Sequence, residues 1–261
     1  MHKITLKSLQ KNKTRTTVTI IGVVLSLAMI TAVTTLASSV QNYLKNSAIL
    51  FTGDWHARIE TSSLDDFENI INDERFTELA IVKGGGYAPL KDGINEYKPY
   101  LYIMELDKNA YETLPIHLTE GRLAETPNEL VLSNHISSNG GVKYELGDII
   151  NLELGKRTLD GNALNQNDPF HHEDNEEAEE FHSTSSRTFT VVGFCERFPY
   201  EIEGFSAAGY SILTVFDESQ AITETEPDIS IYVKLKNPRK VFDVEEEYLN
   251  QYKINNFVCN N

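Results

Sequence analysis

Three histidines, His171, His172 and His182, flank a run of carboxylates: Glu173, Asp174, Glu176, Glu177, Glu179 and Glu180. Imidazole nitrogen and carboxylate oxygen are ordinary zinc ligands. Zinc motifs hold their ligands at fixed spacings, and this stretch has no such spacing. Low hydrophobicity with high charge predicts a mobile loop instead. The expectation is a polar insertion over 161–186 that holds no metal, from which 165–183 can be deleted at little cost in stability. A second constellation is Glu120-Gly121-Arg122, where glycine supplies a turn with positive φ and the charges flank it. Gly147-Asp148 reads the same way, as a turn leading into a strand. Gly84-Gly85-Gly86 lacks the Lys-Ser/Thr that completes a phosphate loop. Neither G-x-S-x-G nor H-E-x-x-H occurs. The residues therefore point away from an enzyme, and no cofactor is expected.

The elements that would carry these residues alternate between helix and strand. Trp55–Glu60, Leu79–Lys83 and Tyr100–Glu105 read as strands, the second closed by the glycine triplet. Ser63 reads as the N-cap of a helix whose apolar face is Leu64, Phe67, Ile70 and Ile71. Glu129–Ser133, Asp148–Leu154 and Arg187–Phe194 are short, apolar and β-branched, and read as further strands. Asp228–Leu235 is another. Asn237-Pro238 then starts a helix with Val241, Val244, Tyr248 and Tyr252 on one face, and Ile254–Cys259 closes the chain as a strand. The fold class is α+β: strand–helix–strand units open and close the body, and a β-rich piece interrupts them. The expected boundaries are an outer subdomain over 45–110 and 216–261 with an insert over 111–215.

Charge divides the chain more sharply. Met1–Val40 holds Lys3, Lys7, Lys11, Lys13 and Arg15 and no acid, leaving 18 basic against 39 acidic residues beyond it. An acidic body argues against nucleic acid, which needs a cationic face. From Thr16 to Leu44 no residue is charged, and Val18–Ala37 is apolar enough and long enough to cross a bilayer. Lys11, Lys13 and Arg15 precede it, which places the N-terminus in the cytoplasm and the body, after about residue 45, outside. The apolar run exceeds the core of a cleaved signal peptide, so it reads as a permanent anchor. Val18 and Leu25 belong to the span. Gly22, Ser26 and Ala37, with Thr31, Thr34 and Thr35, give a face suited to packing on other helices. Ile4, Leu6 and Leu9 among lysines form a short basic amphipathic stretch over 1–15 that fits the inner membrane surface. Cys195 and Cys259 are too few for a stapled fold; a single bridge and two separate thiols both fit.

Four strings occur in order behind the span: Thr119-Glu120-Gly121-Arg122-Leu123, Asn128-Glu129-Leu130-Val131-Leu132-Ser133, Leu146-Gly147-Asp148-Ile149-Ile150, and Phe189-Thr190-Val191-Val192-Gly193-Phe194. With the preceding LKSLQKNKTRT, they resemble the permease subunits of MacB/FtsX-type ABC transporters. That resemblance implies a large extracytoplasmic domain between the first and second of four spans. It implies a separate cytoplasmic ATP-binding subunit, a second permease copy, and peptide, lipoprotein or cell-envelope clients. It marks Glu120, Gly121, Arg122, Glu129, Ser133, Gly147, Asp148 and Gly193 as motif positions. Spans two to four are absent from this sequence, which reads as either a cut piece or a truncated gene product and could not transport by itself. The rival reading is a stand-alone membrane-anchored binding or sensor domain.

Overall fold

The computed structural model describes residues 13–172, 178–200, 202–216 and 227–260. It divides into two compact units between Ala48 and Ile49. Lys11 and the amphipathic stretch before it lie outside the described residues, as do residues 173–177 of the acidic run.

Helix α1 runs unbroken over Lys13–Thr52, about 60 Å at 1.5 Å per residue. Its hydroxyls bond back to their own turn: Thr19 to the Arg15 carbonyl at 2.9 Å, Ser26 to Gly22 at 2.8 Å, Thr31 to Leu27 at 2.9 Å. This satisfies each hydroxyl without an outside partner, which is why they are tolerated in an apolar span. Gly53, at φ +98°, ends the helix and its N–H closes on the Ile49 carbonyl at 2.9 Å.

The body is built on one sheet. Its strands are β1 (Ala57–Thr61), β2 (Phe76–Pro89), β3 (Tyr100–Leu106), β4 (Leu118–Gly121), β5 (Glu129–Ser133), β6 (Ile149–Leu159), β7 (Asn162–Leu164), β8 (Glu180–Cys195), β9 (Gly209–Val215), β10 (Ile229–Leu235) and β11 (Ile254–Cys259). Helices α2 (Leu64–Ile71), α3 (Ala110–Thr113), α4 (His135–Gly140) and α5 (Val241–Gln251) complete it. The strand order is β11-β1-β10-β2-β3-β9-β5-β8-β6-β7, with β4 paired to β8.

Two halves grow from this order. β1-α2-β2 and β10-α5-β11 interleave as β11-β1-β10-β2, all antiparallel, a split β-α-β arrangement. Ile59, Ile70, Ile231, Val244, Tyr248 and Phe257 fill the space under the helices. The Ser63 cap is present, its hydroxyl accepting from the Asp66 N–H at 3.2 Å.

The other half closes on itself. β2 pairs with β3 and, at Tyr87 opposite Gly155, also with β6. The path β2-β3-β9-β5-β8-β6 is thus a ring of six strands. One buried cluster takes a residue from each: Ala88, Leu101 and Ile103, Tyr210 and Ile212, Leu130 and Leu132, Phe189 and Val191, Leu152 and Leu154. A ring this small is filled by its own side chains. Strand β3 is buried along its whole length, Leu101 and Ile103 inward and Tyr102, Met104 and Leu106 against a second core.

The ring changes three expectations. It borrows β2 and β3, so an insert bounded at 111 and 215 does not contain it; closure needs hydrogen bonds from both earlier strands. The glycine triplet does not end a strand. β2 runs through it, and its register shifts between Gly84 and Tyr87 where the strand bends from β10 toward β6. Gly86 has φ +93°, and a Cβ there would sit 2.9 Å from the Gly155 carbonyl. The described parts of 161–186 are not a detached loop. β7 and the start of β8 lie there, Gln166 is buried, and Glu179 is turned inward. Charge hid this, because the pairing partner of Glu179 is Arg157, on another strand.

Candidate functional site

The four sequence strings meet along β8. Gly121 on β4 lies opposite Gly193, and Glu129 on β5 lies opposite Thr190 on the other side. The turn at Gly147-Asp148 docks on the same edge of β8 as β4: the Gly147 N–H reaches the Val191 carbonyl at 2.8 Å, and the Val191 N–H reaches the Asp148 carbonyl at 2.9 Å. Arg122 extends the contact, its N–H on the Val192 carbonyl at 3.0 Å. A Cβ on Gly121 would collide with the Val192 carbonyl and one on Gly193 with the Arg122 carbonyl. Gly121 (φ +73°) and Gly147 (φ +90°) both hold the left-handed conformation expected of them.

The charges of these strings are engaged within the fold. Arg122 grips Glu129 with two bonds, 2.9 and 2.5 Å, and the Glu125 N–H adds a third to the same carboxylate at 2.8 Å. The Arg122 hydrogen bonds, followed by that backbone N–H, hold the Glu129 carboxyl down at about 2. Asp148 accepts from the Glu145 N–H at 2.8 Å, and the buried Ser133 hydroxyl accepts from the His135 N–H at 3.2 Å. Glu120 is exposed on β4. The arrangement is a brace across β4, β5 and the β6 turn. It sets the shape of the ring wall; among the described residues it pairs no nucleophile with a base.

A second cluster carries no signature in the sequence. Glu203, fully buried, receives the Lys98 ammonium at 2.9 Å, His135 Nδ1 at 3.0 Å and the Ser211 N–H at 2.8 Å. Lys98 also donates to the Ala207 carbonyl at 2.9 Å. Burial alone would push the Glu203 carboxyl up. The hydrogen bond from His135, the charge of Lys98 and the Ser211 N–H outweigh it and hold the group below its ordinary value. Burial pushes Lys98 down despite Glu203. Four segments are tied here: the approach to β3, the start of α4, the β8–β9 connection and β9. The partners stand at positions 98, 135, 203 and 211, so no local spacing announces them.

The histidines of the acidic run do not converge. His182 Nε2 lies 3.0 Å from the Thr158 hydroxyl and 3.2 Å from Glu180, while Glu179 serves Arg157 and the His171 N–H. Among the described residues no group of three His, Cys, Asp or Glu side chains is arranged to hold a metal ion. Cys195 and Cys259 are separate free thiols.

The sequence profile of the MacB-like periplasmic core domain matches residues 16–250, taking in the apolar helix and nearly all of the body. The chain belongs to this family. MacB-like periplasmic core domains are parts of ABC transporter permeases, and the described residues here include one N-terminal apolar helix long enough to cross a membrane. Similar solved structures, all at low identity, include three that illustrate the likeness. The periplasmic region of MacB from Actinobacillus actinomycetemcomitans is 9% identical with a TM-score of 0.42, over 81% of this chain and 91% of that one. The extracellular domain of the noncanonic ABC-type transporter YknZ from Gram-positive bacteria is 8% identical with a TM-score of 0.39, over 73% and 88%. A domain of a putative permease protein from Porphyromonas gingivalis is 12% identical with a TM-score of 0.35, over 75% and 72%. No curated protein matches the chain.

Proposed function

We propose that this chain is the N-terminal part of a MacB/FtsX-type permease that couples ATP hydrolysis in the cytoplasm to export or mechanical work on a cell-envelope client. A separate ATP-binding subunit supplies the hydrolysis, a second permease copy completes the assembly, and the chain itself is not an enzyme. The observation that carries this reading is the family match, which takes in span and body as one piece. The charge pattern supports the topology. Lys13 and Arg15 precede an uncharged span, and the acidic excess lies beyond it, so the N-terminus stays inside and the body faces out. The braced ring and the buried Glu203 tie suit a part that transmits displacement, because close-packed interiors pass strain on rather than absorb it.

Single cysteines at Ser8 and Asn167, in a Cys259→Ser background, test the topology with a membrane-impermeant maleimide on cells stripped of any outer barrier. Asn167→Cys should label at once and Ser8→Cys only after permeabilisation. Capture of the full-length gene product in mild detergent should bring down a nucleotide-binding subunit. Reversed labelling, or capture without such a subunit, refutes the reading.

A further inference from the structure

Residues 165–172 cross the outer face of the strand ring without joining any ladder. The segment folds on itself: the Asn165 N–H bonds the Asp168 carboxylate at 2.7 Å, and the Asn167 N–H bonds the Asn165 side chain at 2.8 Å. Glu179 accepts from the His171 N–H at 3.1 Å, and three further side chains attach the segment to what lies beneath. Arg157 on β6 donates to the carbonyls of Asn165, Asp168 and Pro169 at 3.0–3.3 Å, while its remaining donors hold Glu179 at 2.7 and 2.8 Å. Gln166 donates to the Gly209 carbonyl at 2.7 Å. Phe170 packs edge-on against Tyr100 at 6.0 Å.

Beneath lies an aromatic floor. Tyr87 sits 6.0 Å from Tyr100 and 5.0 Å from Tyr102, Phe181 stacks on Tyr100 at 5.8 Å, and Arg157 lies over both Tyr87 and Tyr100. One polar atom is buried here with no hydrogen-bond partner among the described residues, Gln166 Oε1. Burying such a group unpaired is unfavourable. We infer that residues 165–172 are a strap that opens as a local unit, uncovering Tyr87, Tyr100 and Tyr102 while the sheet stays folded. Opening breaks no ladder hydrogen bond, releases Phe170 as its one large apolar group, and lets the unpaired Gln166 Oε1 reach water. Segments with this balance open far more readily than the cores they cover. Arg157 is the button, since it alone binds three strap carbonyls.

Tyrosine nitration of the whole chain in detergent, read by mass spectrometry, tests the strap against an internal control. Tyr248 is fully buried in the separate core under α5 and reports global unfolding. Arg157→Met should raise the nitration rate of Tyr87 and Tyr100 by about tenfold or more and leave that of Tyr248 unchanged, as expected for sub-global opening. Gln166→Ala, which removes one anchor and no charge, should give a smaller rise at the same two tyrosines. It also serves if Arg157→Met does not fold. Equal rises at Tyr248 and Tyr100, or no rise at Tyr100 in a folded variant, overturn the inference. The strap rests on the fold alone, so its failure leaves the permease reading intact.

Discussion

Removing the Glu203 carboxylate should be among the most damaging single changes in the body. Its side chain is 0% exposed and that of Lys98 is 5% exposed. Glu203→Ala leaves the Lys98 ammonium buried with the Ala207 carbonyl as its remaining close partner, and strips an acceptor from the Ser211 N–H and from His135. Breaking a buried ion pair from one side costs about 3–5 kcal/mol. For a body of roughly 200 residues each kcal/mol moves the melting temperature by about 2–4 °C, so the expected loss is about 6–20 °C. Lys98→Met should also destabilise, and the Lys98→Met/Glu203→Leu double variant should cost less than the sum of the two single changes by about 2–3 kcal/mol. Thermal unfolding of the detergent-solubilised chain, followed by far-ultraviolet circular dichroism, measures all of these. The effect depends on pH. The Glu203 carboxyl is held below its ordinary 4.5, so its contribution is full above that pH and is lost as pH falls through the lower folded-state value. A Glu203→Ala loss under about 1 kcal/mol, or strictly additive variants, would refute the claim that this carboxylate ties the four segments together.

Two further outcomes follow from the brace. Gly121→Ala should cost roughly 2–3 kcal/mol or more, because a left-handed backbone and a collision with the Val192 carbonyl combine. Gly147→Ala, at φ +90° but with open space around its Cβ, should cost only about 1 kcal/mol; the same melting experiment separates them. Arg122→Ala releases the Glu129 carboxyl from its value of about 2 toward the ordinary 4.5. The stability that Arg122 supports is present above pH 4.5 and lost on the way down to 2, so the variant should unfold at a higher pH during acid titration. An unchanged acid midpoint would show that the ion pair contributes nothing.

Part of this molecule was legible in one dimension because the governing forces are local. An uncharged run of helix length, Ser63 as a cap and Gly121 and Gly147 at positive φ each follow from the residue and its immediate neighbours. β5 and β11 match the expected strands residue for residue. β9 was not legible: buried on nearly every residue, it shows no alternation to mark it as a strand. The acidic run misled because composition reports only a mean charge, whereas Glu179 is buried by one partner, Arg157, 22 positions away.

The sequence by itself determined the long apolar helix, the sign of the body's charge, the α+β class and the order of the family strings, all set by residue type and short-range spacing. Only the tertiary structure decided that β2 and β3 close a ring with β6, that the four strings lock onto one strand, and that Lys98, His135 and Glu203 meet. Those depend on which distant backbone edges find each other. The free energy of such a meeting resides in desolvated pairs and shared hydrogen bonds, which no single segment contains.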